Sequence, residues 1–153
     1  MPNSARSPGR ATISMNADCF IDTNVFVYAA SSRGAESWKR LRAFEILDAA
    51  EFATSAQVLQ EFFVTVTRKM KHLMTTEDAL DWIQRIAERP VVAVDVDVVM
   101  RATAIASRFQ VSYWDAAIIA AAENVDAKTL YTEDLNHRQA YGSVTVINPF
   151  LST

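Results

Sequence analysis

The stretch Asp18-Cys19-Phe20-Ile21-Asp22-Thr23-Asn24 constrains the fold most, because a short run of consecutive apolar residues stops on a carboxylate followed by two small polar side chains. Apolar residues on consecutive positions suit a strand covered on both faces, as in a parallel sheet flanked by helices. Asp22 then stands at the carboxyl end of that strand. In open parallel sheets ligands bind along this edge, where loops form a crevice and helix starts offer oriented N–H groups. The next four residues, Val25-Phe26-Val27-Tyr28, are expected to lead the chain away toward a helix.

The pattern then repeats. Between Ala35 and Ala50, Trp38, Leu41, Phe44, Ile46 and Leu47 recur at helical spacing, which predicts an amphipathic helix. Glu51 to Thr54 reads as a short strand. Thr54 or Ser55 can cap a helix reaching about Met70, with Thr54 and Gln57 at capping-box spacing. In that helix Val58, Leu59, Phe62, Phe63 and Val66 form an apolar stripe with Glu61 set against it, and a carboxylate there needs a partner. Thr75 or Thr76 opens a helix that Pro90 ends, and Val91 to Val94 reads as a buried strand. Helices are expected over Val98–Phe109 and Tyr113–Glu123, the second capped by Ser112, and strands over Lys128–Tyr131 and Val144–Ile147. Strands alternating with helices imply parallel strands joined by right-handed crossovers, so the fold class is α/β.

Residues 17–153 show no repeat or linker and read as one domain, large enough to bury roughly 70% of the surface of its unfolded chain. Residues 1–16 hold two of the four prolines and lack hydrophobic periodicity, so they are expected to form a flexible N-terminal extension, with Met15 as an alternative start. They also lack the apolar core of a secretory signal. Cys19, the one cysteine, excludes disulfides within the chain and argues against a thiolate zinc site, in keeping with a cytoplasmic location. No apolar run approaches the roughly 18 residues of a membrane span. The net charge of −3 gives no global attraction to nucleic acid, so a polyanion would need a local patch. Arg33, Lys39, Arg40 and Arg42 form one basic cluster, and Arg68, Lys69, Lys71 and His72 another; each alone reads as a solvated helix face.

Four carboxylates carry the chemistry. Asp134 follows the strand Thr129-Leu130-Tyr131 through Thr132 and Glu133, a placement like that of Asp22. Asp115 lies in the first turn of the Tyr113 helix, whose apolar continuation marks it as buried, and Glu61 lies beside the core. Several carboxylates in a partly desolvated crevice repel one another until they take up protons or bind a cation. An all-oxygen set suits one or two magnesium or manganese ions, which activate water for phosphodiester hydrolysis. Thr23, Asn24, Ser55 and Thr132 are candidate supporting groups that orient the carboxylates.

Each acid also has a purely structural reading. Asp22 could cap the following helix, Asp115 could complete a capping box with Ser112, Asp134 could close a turn, and Glu61 could pair with Arg68 or Lys69. Four independent structural roles would not be expected to share one edge, which favours a site. A competing stretch, Val91-Val92-Ala93-Val94-Asp95-Val96-Asp97-Val98, resembles the nucleophile strand of haloacid-dehalogenase phosphatases, centred on Asp95. It lacks a Gly-Asp metal loop downstream, so Asp95 reads better as a cap or loop residue. Gly9, Gly34 and Gly142 lie too far apart for a phosphate-cradling loop or a serine-hydrolase elbow. His72 and His137 have no partner at metal-ligand spacing.

Taken together, Phe20-Ile21-Asp22-Thr23-Asn24, Ser55-Ala-Gln-Val-Leu-Gln-Glu61-Phe, Tyr113-Trp-Asp115-Ala-Ala-Ile-Ile-Ala-Ala-Ala and Tyr131-Thr-Glu-Asp134-Leu resemble the PIN domain, and most nearly the VapC-type toxins of bacterial toxin-antitoxin pairs. The resemblance covers Asp18 to Phe150. It implies a three-layer α/β/α sandwich, magnesium- or manganese-dependent endoribonuclease activity, a homodimer and a small cognate antitoxin. It matches Asp22, Glu61, Asp115 and Asp134 to the family's acidic positions, and Asn24 and Thr132 to its polar supporting ones. The rival is a PIN-like module that binds RNA or protein without turnover.

Overall fold

The structure, a computed structural model, describes residues 15–31, 36–70 and 73–152; Arg33, Lys71, His72 and nearly all of the N-terminal extension lie outside the described residues. The first strand, β1 (Cys19–Ile21), is buried along its whole length. Helix α1 (Thr23–Ala30) starts immediately after it, so Val25 to Tyr28 lie within the helix rather than leading to it. Asp22 causes the early start: its side chain accepts the Thr23 N–H and satisfies one of the free donors of the first turn.

The chain continues through α2 (Ser37–Ala49), β2 (Phe52–Ser55), α3 (Ala56–Val64), a π-helical turn over Thr65–Lys69, α4 (Thr76–Ile86) and β3 (Val91–Val92). It ends with α5 (Val96–Phe109), α6 (Tyr113–Asn124), β4 (Thr129–Tyr131), β5 (Ala140–Tyr141) and β6 (Val144–Ile147). The six strands form one sheet in the order β3-β2-β1-β4-β6-β5. All neighbours are parallel except β5, which runs antiparallel to β6. Building outward from β1 to β2 and β3, right-handed crossovers place α1 to α4 on one face; the return to β4 on the other side of β1 places α5 and α6 on the opposite face. The result is an α/β/α sandwich with a mainly parallel sheet. Its strand order reverses between β1 and β4, and such switch points open a crevice at the strands' carboxyl ends.

Helix α6 packs across the sheet against β2 and β6. Its last turn meets the start of β1, where the Ala17 N–H donates to the Val125 carbonyl at 3.3 Å. Its first turn meets α3, where Gln57 Nε2 donates to the Trp114 carbonyl at 3.2 Å. Asp115 is thereby held at the carboxyl edge. Residues Ala116 to Ala122 of α6 are all buried, and the five alanines among them let the helix lie close to the sheet. Phe20, Ile21, Val25, Phe26, Phe62 and Leu130 fill the centre of the core, each apolar side chain contributing about 1.5–3 kcal/mol by burial.

Several expectations change. Of the two caps expected for α3, Ser55 makes it by accepting the Val58 N–H, and the Thr54–Gln57 capping box does not form, because Thr54 is still in the strand and donates to the Ile21 carbonyl. The strand expected over Val91–Val94 stops at Val92, because its partner β2 ends at Ser55, and Val94 is exposed. On α2 the buried residues are Ala43 and Ile46, whereas Trp38, Leu41 and Phe44 face outward. Strand β5 has no counterpart in the sequence reading; it pairs with β6 through a turn in which Gly142 has φ +64°.

Candidate active site

Asp22 is 5% exposed and both of its carboxylate oxygens accept hydrogen bonds. Oδ1 takes the Thr23 N–H at 2.7 Å, and Oδ2 takes the Thr132 hydroxyl at 2.7 Å. Thr132 is the junction of the site. Besides donating to Asp22, its Oγ1 accepts from Asn24 Nδ2 at 3.3 Å and from the Asp134 N–H at 3.1 Å. The Asn24 amide also donates to Asp134 Oδ2 at 3.2 Å. The pairing of Ile21 with Tyr131 brings the residues after β1 and β4 side by side, so one hydroxyl can serve both aspartates.

Glu61 joins them from α3. Its Oε2 accepts from Thr23 Oγ1 at 3.0 Å and its Oε1 from Gln57 Nε2 at 2.9 Å, so its partners are these two residues rather than Arg68 or Lys69. Gln57, one turn before Glu61, ties that carboxylate to the first turn of α6, where Asp115 sits. Ser112 caps α6 by accepting the Asp115 N–H at 3.1 Å. A cleft of about 400 Å³ opens beside Thr23, Asn24, Glu61 and Asp134 and extends outward to Tyr28 and Glu133.

The electrostatics show that the acids share one field. Burial lifts Asp22 from the ordinary carboxylate value to about 7; its hydrogen bonds from Thr132 and Thr23 oppose that rise, and the charges of Asp134 and Glu61 add to it. Asp115 is raised as well, first by desolvation and then by Asp134 and Glu61, against its bond with Ser112. Asp22 and Asp115 thus respond to the same two neighbours.

Residues 19–143 match the family described as the PIN domain. This chain belongs to the PIN-domain family. Among solved structures, the PIN fold here is similar to a toxin-antitoxin complex from Klebsiella pneumoniae, with a TM-score of 0.64 and 18% identity over 86% of this chain and 98% of that one. It is also similar to FitAcB from Neisseria gonorrhoeae, with a TM-score of 0.62 and 22% identity over 86% and 98% of the two chains. A third similar structure is VapC20 of Mycobacterium tuberculosis, described as a sarcin-ricin loop cleaving toxin, with a TM-score of 0.57 and 18% identity over 73% and 86%. At these identities the likeness concerns the fold. No curated protein matches the chain.

The donors of this PIN site fit a hard divalent cation. They are all oxygens, two of the acids are raised by burial and by their acidic neighbours, and Asn24 Oδ1 is buried without a hydrogen-bond partner among the described residues. Among the described residues no three His, Cys, Asp or Glu side chains converge into a ready-made cage. Magnesium commonly takes one or two carboxylates and keeps several waters, so it does not require one.

Of the supporting residues expected from sequence, Thr23, Asn24 and Thr132 are bonded to the acids, whereas Ser55 is spent on the α3 cap. Glu133 turns away from Asp134 and receives the Tyr28 hydroxyl at 2.9 Å. Asp95, the centre of the competing phosphatase reading, is exposed and caps α5 through the Val98 N–H at 3.0 Å. His137 Nδ1 accepts the Asn148 N–H at 3.0 Å. Sequence reading missed Gln57, although its i, i+4 spacing to Glu61 on one helix face was available as a signal. Among the described residues no helix is long and apolar enough to cross a membrane.

Proposed function

We propose that this protein is a divalent-metal-dependent endoribonuclease, the toxin of a toxin-antitoxin pair, working as a homodimer restrained by a small cognate antitoxin. The observation that carries the reading is the joining of Asp22 and Asp134 through Thr132 at the sheet's switch point, with Glu61 and Asp115 in the same field. The family match supports nuclease chemistry, and the similar toxin-antitoxin structures support the biological role.

Asp22, Asp134, Glu61 and Asp115 would hold the cation, magnesium or manganese, as one or two ions. When bound, the ion supplies Lewis-acid stabilisation of charge developing on the phosphate and lowers the pKa of water in the site. The chain's own residues prepare this. Thr132 and Asn24 fix Asp22 and Asp134, while Thr23 and Gln57 fix Glu61, so that carboxylate orientation is set before substrate arrives. Burial of Asp22 keeps bulk water from that side of the site and strengthens its pull on a cation.

The test is cleavage of total RNA by the wild type and by Asp22→Asn, with magnesium or manganese and again with chelator. Cutting at defined positions by the wild type alone, abolished by chelator, is expected. Equal cutting by Asp22→Asn, or no cutting by either protein, would count against the reading.

A further inference from the structure

Lys39 is a cation held at the mouth of an acidic cleft. Its ammonium lies 4.6 Å from the centre of the Tyr28 ring and donates to the Tyr28 hydroxyl at 3.1 Å. It also pairs with Glu36 at 2.9 Å, and its side chain is only 16% exposed. The Tyr28 hydroxyl in turn donates to Glu133, so the tether fixes the ammonium against the cleft wall that Tyr28, Glu36 and Glu133 form. We propose that Lys39 docks an RNA phosphate adjacent to the scissile one, exchanging its bond to Glu36 for that phosphate. This rests on the nuclease reading above.

Three observations lead there. An ammonium has three donors, and the described residues engage two of Lys39's, with Glu36 and Tyr28. The Glu36 side chain is 57% exposed, so its carboxylate rehydrates readily when the ammonium turns to a phosphate. Tyr28 is also one helical turn beyond Asn24 on α1, which places the tether about 6 Å along the axis from the acidic centre, on the scale of one nucleotide step. The need for such a group follows from charge. Glu61, Glu133 and Asp134 line the cleft and repel a polyanion, while Arg40 and Arg42 are directed to the Ala29 carbonyl and to Glu45.

The experiment measures binding of a fluorescently labelled, mixed-sequence single-stranded RNA to full-length Asp22→Asn protein across a salt series. Adding Lys39→Gln is expected to weaken binding about ten-fold, since a charge-assisted bond is lost. The slope of log affinity against log salt should become shallower by about 0.7, the change for one phosphate contact on a single strand. Glu36→Gln, which removes the competing carboxylate at an exposed position, is expected to tighten binding a few-fold. The tightening should vanish when Lys39→Gln is also present, since it comes from the released ammonium and not from the lost cleft charge alone. An unchanged slope in Lys39→Gln, or no tightening in Glu36→Gln, overturns the proposal. Lost capture of a copurifying protein with RNA binding intact would also overturn it, by assigning Lys39 to a protein carboxylate. Failure of the wild type to cut RNA, with both binding shifts present, would defeat the nuclease reading while leaving phosphate docking in place.

Discussion

Asp22 and Asp95 occupy the same local position, each following a strand and capping the next helix, yet their surroundings differ. Asp95 accepts the Val98 N–H on an exposed turn. Asp22 accepts the N–H of the next residue, Thr23, rather than one three residues on, and its second oxygen reaches across to Thr132 after β4 while its charge meets those of Asp134 and Glu61. The cap is therefore common to both turns and explains neither as a site. What separates them is the neighbouring strand: β1 lies inside the sheet at the switch point, whereas β3 is an edge strand of two residues. The sheet, rather than the cap, is what brings other polar groups to Asp22.

The largest expected difference between the two turns is in stability against pH. The folded chain favours protonated Asp22, whose value rises from 3.8 to about 7. Its contribution is therefore full below pH 3.8, declines as pH rises to about 7, and is flat beyond, a loss of about 4 kcal/mol. Asp22→Asn keeps a capping oxygen and removes the titration, so the gap between mutant and wild type in urea unfolding should move in the mutant's favour from about pH 4 to about pH 8. Equal pH dependence in the two proteins would show that burial does not perturb this carboxyl. The smallest effect belongs to Asp95→Ala. Loss of that cap should lower unfolding stability by about 1 kcal/mol and leave RNA cleavage at the wild-type level; a fall in cleavage would restore Asp95 as a candidate.

Much of the fold was legible because its signals are local. The apolar run of β1, the Ser112 cap and the buried alanine-rich face of α6 each appear within a few consecutive residues. Asp22, Asp134 and Thr132 were legible as ends of elements and Glu61 as a carboxylate beside the apolar stripe of α3, and the parallel topology then brought Asp22 and Asp134 together. What the sequence hid depends on pairing. The apolar run from Val91 to Val94 reads as one strand, yet Ala93 and Val94 lie beyond the end of β2 and have no strand to pair with, so hydrophobicity alone overextended β3. Strand β5 is two residues long and exists only against β6. The tether of Lys39 to Tyr28 and Glu133 joins α2, α1 and the loop after β4, a contact with no periodic signature.

The central claim is that the edge containing Asp22 is a cation site and the turn containing Asp95 is not. Calorimetric titration of manganese into the wild type, Asp22→Asn and Asp95→Asn at about pH 8, above the raised value of Asp22, tests it directly. Binding by the wild type and Asp95→Asn, with loss in Asp22→Asn, is the predicted result. Equal binding by all three proteins, or binding by none, would contradict it.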